Sequence, residues 1–175
     1  MLSIYNYNLF KIMSFKFRVS KLSAISYCLL FFALSSCKQL DVFEKNTPIP
    51  KYSWASNYVA KGDLSIADTT SAYNLYIVLR HTDAYKYNNI WLNIEINNGT
   101  DSLINQKIDI GLATDATGWE GVGMNDIREL RKKITPMPFK FKKVGNYSYQ
   151  IKQVMRDNPL NNIMSVGIRF EKVNF

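Results

Sequence analysis

The sequence contains one histidine and two cysteines among its 175 residues. Both cysteines, Cys28 and Cys37, lie near the amino terminus, so the chain after Cys37 cannot form an internal disulfide. Zinc sites of the usual kind combine several Cys and His ligands, and the sequence after Cys37 cannot supply such a set. A serine or cysteine triad would need His81, and no Gly-x-Ser-x-Gly nucleophile motif is present. The sequence therefore predicts no metal site, no cofactor and no enzyme activity.

Two further features that could carry chemistry have simpler explanations. His81 follows a segment of alternating apolar residues, and a lone histidine in that position is typical of a structural hydrogen bond. Asp109 with Asp115 or Glu120 would be a carboxylate pair of the kind that glycosidases use, but spacing alone cannot bring them face to face. We expect neither feature to form an active site.

The net charge of +8 does not indicate nucleic-acid binding, because four of the 22 Lys and Arg residues precede Cys37. The remaining chain keeps 18 of them against 14 Asp and Glu, a net charge of +4. The excess lies in what we call the basic segment, where a single acidic residue, Glu129, intervenes. Its cations are Arg128, Arg131, Lys132, Lys133, Lys140, Lys142 and Lys143. Such a run is usually a solvated face; the alternative is a docking surface for an acidic protein, an anionic headgroup or a glycan.

The amino-terminal residues have the pattern of a secretory signal peptide. Positive charges between Lys16 and Lys21 precede an apolar stretch of 13 residues, Leu22 to Leu34, which is too short to span a bilayer. The junction Leu34-Ser35-Ser36-Cys37 resembles the bacterial lipobox, whose cysteine carries a thioether-linked diacylglycerol. We therefore predict a signal peptide over residues 1–36, with the true start at Met13, and lipid attachment at Cys37. Two or more acyl chains make a stable membrane anchor.

The rest of the chain has the pattern of an all-β domain. Residues 37–51 contain two prolines and no periodicity, which predicts a lipidated tether, and residues 52–175 predict one domain. Apolar residues alternate with polar ones over 73–80, 90–97, 147–152 and 164–171, and more weakly over 54–58, 64–68, 102–112 and 139–144. One-sided alternation is typical of antiparallel sheets. About eight such strands predict a jelly-roll-like β-sandwich, with a type I′ hairpin at Asn98-Gly99 and a helical turn over 157–161.

With these segments in place, the chain resembles the gliding-motility lipoprotein family GldH of Bacteroidetes. The resemblance covers nearly all of the sequence after Cys37 and rests on the order and spacing of several segments. These are Val42-Phe43, Tyr73–Ile77 with Arg80-His81, Tyr85–Leu92, Gly118–Gly123, and Tyr149 to Arg156 with Val166–Arg169. The resemblance implies an accessory lipoprotein of the gliding machinery that is linked to type IX secretion, binds other envelope proteins and has no catalytic residues.

Three finer expectations accompany this resemblance. The residues after the anchor, Lys38 to Asp41, lack the acidic run that tends to mark surface export in Bacteroidetes, which favours an outer-membrane location facing the periplasm. Thr69 and Ser102 lie in tripeptides that resemble the Bacteroidetes O-glycosylation motif. Trp119, at the centre of a glycine-rich loop, is expected to plug one end of the sandwich or to serve as a binding platform.

The alternative function is recognition of envelope polysaccharide by a carbohydrate-binding sandwich. Exposed aromatic residues, here Trp91, Trp119 and Tyr87, would serve as stacking platforms for sugar rings. Trp91 falls on the polar side of its strand, which keeps this alternative open. Exposure of these side chains would favour it, and their burial would remove it.

Overall fold

The computed structural model describes residues 42–99 and 101–173, so the predicted signal peptide and Cys37 lie outside the described residues. A 3₁₀ turn, Pro50–Tyr52, contains two residues of positive φ, Lys51 and Tyr52. The strands are β1 Val42–Pro48, β2 Ser53–Trp54, β3 Ala60–Ile66, β4 Ala72–Thr82, β5 Asn89–Asn97, β6 Ser102–Gly111, β7 Ala113–Thr114, β8 Gly118–Trp119, β9 Val122–Met124, β10 Ile127–Lys133, β11 Gly145–Gln153, β12 Leu160–Asn161 and β13 Ile163–Val173.

Two larger antiparallel sheets form most of the described part of the chain. Sheet I has the strand order β1-β13-β4-β10-β9, and sheet II has the order β3-β11-β5-β6. Two short pairs, β12 with β2 and β7 with β8, lie outside these sheets. The predicted all-β antiparallel sandwich is therefore confirmed. In the described part of the chain no helix is long and apolar enough to cross a membrane.

The core lies between the inner faces of the two sheets, and the predicted alternation places it there. Strand neighbours point to opposite faces, so every second residue is buried. The core residues contributed by β4, β5, β11 and β13 are Leu75, Ile77, Leu79, Ile90, Leu92, Ile94, Ile96, Tyr147, Tyr149, Ile151, Ile163, Val166, Ile168 and Phe170. This arrangement leaves a second, solvent-facing side on each sheet.

The predicted tether is wrong from Val42 onward, because β1 pairs with β13 along its whole length. The sequence shows no alternation here because an edge strand buries little: Phe43 packs on Phe170 with ring centroids 6.4 Å apart, while the residues that follow it in β1, Glu44 to Thr47, are polar. Lys45 and Thr47 donate hydrogen bonds to carbonyl oxygens of β3, at 3.2 and 3.3 Å. These side-chain contacts close one side of the sandwich where β1 and β3 meet.

Three weaker predictions fail for local reasons. Over residues 139–144 no strand forms in the described structure, and Phe139 alone makes a bridge, to Tyr73. Residues 157–161 are not helical, since Leu160 pairs with Trp54 instead. The hairpin between β5 and β6 is present, but Asn97 pairs with Ser102, so the connection is longer than the predicted two-residue turn.

Candidate functional site

The outer face of sheet II carries an exposed tryptophan at one end. Trp91 lies in β5 between Ile90 and Leu92, which are both fully buried, so strand alternation turns the indole outward, where it is 38% exposed. The ring borders a groove of about 500 Å³, a size typical of small-molecule sites. We call it the Trp91 groove; its lining residues are Tyr87, Asn89, Trp91, Lys107, Val154, Met155 and Arg156.

Three cations lie on or near the face that carries this tryptophan. The Lys107 ammonium lies 4.9 Å from the centroid of the Trp91 ring, a cation–π contact. In the sheet register Asn93 pairs with Lys107 on one side and with Lys152 on the other, which gives a row of two lysines and an amide beside the indole. Arg156 lines the groove itself. Among the described residues none of these three cations has a carboxylate within ion-pair distance.

Hydrogen bonds hold the groove in shape. The Asn89 amide donates to Asp109 Oδ1 at 2.8 Å, and the Tyr85 hydroxyl donates to the Asn89 carbonyl at 3.0 Å. The Trp91 backbone N–H points at the Met155 sulfur, 3.2 Å away, and the Trp91 carbonyl accepts from the Val154 N–H at 3.0 Å. The backbone on both sides of the indole is therefore fixed.

The basic segment lies mainly along β10 of sheet I, where carboxylates from distant parts of the sequence meet it. Arg128 contacts both oxygens of Asp83, at 2.7 and 3.1 Å. Lys132 and Lys143 pair with Glu120 and Asp101 at 3.0 and 2.8 Å, and Arg131 pairs with Glu129 and Glu44 at 2.8 and 3.5 Å. Within residues 42–99 and 101–173, the segment's remaining lysines, Lys133, Lys140 and Lys142, have no carboxylate within ion-pair distance.

These ion pairs change how the basic segment can act. The Arg128 guanidinium holds the pKa of Asp83 below its usual value, and the Lys143 ammonium does the same for Asp101. Strand alternation also sends Arg128 and Lys132 to the side of buried Leu130, away from the side of Arg131. The segment is thus less positive than its sequence indicates, and its cations on β10 point to both faces of the strand. Its role as a docking surface remains a prediction.

Trp119 packs at one end of the sandwich. Its ring centroid lies 4.7 Å from that of His81 and 6.4 Å from that of Tyr85, and the side chain is half-buried. His81 is fully buried, its Nδ1 lies 2.9 Å from the Thr82 carbonyl, and burial lowers its pKa, which favours the neutral ring. The structure therefore favours the plug for Trp119 and a structural hydrogen bond for His81. The three aromatic residues proposed as platforms do not form one row, since only Trp91 and Tyr87 border the groove.

The glycosylation candidates occupy different settings. Thr69 is half-buried in the bend between β3 and β4, whereas Ser102 is exposed at the first position of β6. Next to Thr69, the Asp68 carboxylate accepts hydrogen bonds from Ser71 and Thr70, and these hold its pKa well below the usual range. Both modification sites remain predictions. Among the described residues no group of His, Cys, Asp and Glu could hold a metal ion.

Sequence reasoning missed the cations around Trp91. The alternation of β5 places Asn93 on the face of Trp91, and this signal was available. Lys107 lies on β6, which forms a hairpin with β5, whereas Lys152 lies on β11, which is far from β5 in sequence. No local pattern reveals the pairing of β11 with β5 that places Lys152 beside Asn93.

Comparison with known proteins gives one family. The family described as GldH lipoprotein matches residues 41–170. A gliding motility lipoprotein GldH homolog from Christiangramia forsetii is 29% identical over 160 residues, which are 86% of this chain and 97% of that protein. The gliding motility lipoprotein GldH of Flavobacterium johnsoniae is 30% identical over 146 residues, 79% of this chain and 89% of that protein.

Solved structures resemble the chain only distantly. The insecticidal delta-endotoxin Cry8Ea1 from Bacillus thuringiensis has a TM-score of 0.41 at 14% identity, covering 73% of this chain and 20% of that one. The CBM36-1 domain of a xylanase from the hindgut metagenome of Trinervitermes trinervoides has a TM-score of 0.38 at 12% identity, covering 76% of this chain and 100% of that one. Likenesses at this level say nothing about ligand or activity.

Proposed function

Because the chain belongs to the GldH lipoprotein family, we propose that it is a non-catalytic accessory lipoprotein of the gliding motility machinery. The observation that carries the proposal is the family match over residues 41–170, which spans all but the last strand's end of the described sandwich. The fold agrees with a binding role, since both sheets present an outer face. The buried His81 contacts the Thr82 carbonyl and lies against the rings of Trp119 and Tyr85. Its partners on this proposal are other envelope proteins of the gliding apparatus.

Anchoring is proposed to occur through Cys37. The lipobox ends at this residue, and β1 begins five residues later at Val42, so the acyl chains would hold edge strand β1 of sheet I close to the membrane surface. The proposed location is the outer membrane, with the domain in the periplasm. Protease added to intact cells should then leave the protein uncut, and cleavage without outer-membrane rupture would place the domain on the cell surface.

Gene deletion in the host tests the motility role. Deletion should abolish colony spreading and single-cell movement, and a wild-type copy should restore both. A Cys37→Ala copy should fail to restore movement and should incorporate no labelled palmitate. Cys28→Ala is the matched control, because it removes the other cysteine while leaving the lipobox intact, and it should behave as wild type. Normal movement of the deletion strain would refute the proposal.

The proposed link to type IX secretion has a separate measurement. If the protein supports that apparatus, the deletion strain should lose proteins from its culture medium and accumulate their unprocessed forms in the periplasm. An unchanged set of secreted proteins in a strain that cannot glide would restrict the role to motility.

A further inference from the structure

We infer that the outer face of sheet II binds an acidic saccharide, with a sugar ring against Trp91 and its carboxylate between Lys107 and Lys152. This site is independent of the motility proposal, because it follows from the geometry of the described residues alone. Three features carry the inference: an exposed indole in a groove, cations without carboxylate partners beside it, and a row of amides that continues across the sheet.

The indole supplies the platform. Trp91 is 38% exposed in a groove of about 500 Å³, and Tyr87 borders the same groove. The apolar face of a sugar ring packs on an aromatic ring as other flat groups do, and a groove of this size suits one or two sugar units. An indole left exposed here does not stabilise the core, because the neighbouring residues of β5 already fill the inner face.

The cations select a negatively charged sugar. The Lys107 ammonium rests 4.9 Å from the indole centroid, so a carboxylate bound to this lysine brings its own sugar ring to Trp91. A neutral sugar that stacked on Trp91 would displace the Lys107 ammonium from the ring and offer it no charge in return. A uronate would replace the lost cation–π contact with an ion pair to its carboxylate. Lys152 lies across Asn93 from Lys107 in the register, and both lysine side chains are exposed. The amino groups are free to converge on one anion.

Amides complete the surface. Beyond Asn93 the register of the same face continues through Gln150, Glu95 and Asn105. Each side-chain amide offers both donors and an acceptor, which matches the hydroxyl groups of a sugar. Of the carboxylates on this face, Asp109 and Glu95 accept hydrogen bonds from Asn89 and Asn97, so both already have a partner. A third, Asp63, lies on edge strand β3 opposite Ser148, away from the groove.

The other anionic ligands fit this surface less well. A surface that binds a membrane would need protruding apolar side chains beside its cations. The most exposed apolar side chains of the described structure, Val122 and Met124, lie on β9 of sheet I and not on this face. An acidic peptide could meet the lysines with its carboxylates and the amides with its backbone, but its Asp and Glu side chains offer no ring to pack on the indole. A uronate brings a ring, a carboxylate and hydroxyl groups together in one unit.

The test is calorimetric titration of the full-length protein, kept in neutral detergent, with oligomers of galacturonate, glucuronate and mannuronate. At least one of these should bind, and its methyl ester, which has the same backbone without the charge, should bind about tenfold more weakly or not at all. Trp91→Ala should weaken uronate binding by about tenfold or more, and so should the double variant Lys107→Gln/Lys152→Gln.

The matched control is Lys133→Gln/Lys140→Gln, which removes the same charge from exposed lysines outside the groove. It should bind as wild type does. Equal weakening by both double variants would reduce the effect to net charge and overturn the inference, as would equal binding of the methyl ester. Failure of every uronate to bind would also overturn it. Trp91-dependent binding of polyglutamate or of glycerophosphoglycerol, without uronate binding, would assign the surface to an acidic peptide or a lipid headgroup instead.

Discussion

On the outer face of sheet I, charged side chains contact one another across the strands. Arg169 of β13 contacts Glu44 and Glu171 at 2.8 and 2.6 Å, and Arg131 of β10 reaches Glu44 from the other side at 3.5 Å. On the outer face of sheet II, Lys107 and Lys152 have no such partners in the described structure, and an exposed indole lies beside them. The same types of charged residue thus serve two different purposes.

The difference follows from what each face must do. A paired network satisfies its own charges, so it can cover apolar residues such as Val78, which is only 2% exposed although it lies on the outer side of β4. Cations without partners keep their full capacity to bind an anion, and they gain little stability for the fold. The outer face of sheet I therefore stabilises the fold. The outer face of sheet II contributes less to stability and carries the ligand site that we infer.

The largest expected effect is a difference in the free energy of unfolding between two tryptophan variants, one in the core and one on the outer face of sheet II. Trp54 is fully buried, so Trp54→Ala should lower the free energy of unfolding by about 3–5 kcal/mol. Trp91→Ala should lower it by less than about 1 kcal/mol, because the indole lies on the outer face of sheet II and outside the core. Urea denaturation followed by circular dichroism measures both. A large loss for Trp91→Ala would show that this indole serves the fold.

The second prediction concerns how closely strands approach on sheet I. A Cβ atom added at Gly167 would lie 2.1 Å from the Lys45 carbonyl oxygen and 2.3 Å from Asn46 Oδ1, so β1 would have to move. Gly167→Ala should therefore cost about 2 kcal/mol. Gly111 of sheet II has nothing within 4 Å of its added Cβ, and Gly111→Ala is the matched control. Equal urea midpoints for the two variants would mean that β1 is not held firmly against β13.

The third prediction breaks the ion network itself. Glu44→Gln removes the partner shared by Arg169 and Arg131 and should cost about 1 kcal/mol, a modest value because the pairs are partly solvated. Glu95→Gln on sheet II removes a carboxylate with no cationic partner in the described residues, and stability should stay within about 0.5 kcal/mol of wild type. A larger loss for Glu95→Gln would contradict the contrast between the two faces.

The smallest effect is the pH dependence of this network. Burial alone would raise the pKa of Glu44, but the Arg169 hydrogen bond and the nearby Arg131 charge outweigh it and hold the pKa below its usual 4.5. A lowered folded pKa means that the stabilisation is complete above about pH 4.5 and is lost as the pH falls through the folded value. The difference in urea midpoint between wild type and Glu44→Gln should therefore shrink under acid. A difference that stays constant at low pH would exclude Glu44 as its source.

Much of the fold was predictable because its strands bury one face. The four strongest alternating segments all became strands of the two sheets, since their apolar residues form the core. β1 and β10 escaped prediction because their residues make few core contacts and are held by pairing with β13 and β4. Of the candidate site, the outward position of Trp91 was predictable from the alternation of β5.

The sequence by itself determined the sandwich, the predicted lipidation signal and the outward tryptophan, because each depends on a local pattern of a few neighbouring residues. Only the tertiary structure decided which charges pair and which stay without a carboxylate partner. The partners Glu44 and Arg169 are 125 residues apart, and Lys107 and Lys152 meet across Asn93 only through the register of three strands. The physical reason is that sheet pairing brings together residues distant in the chain, and the charge of a surface depends on those neighbours.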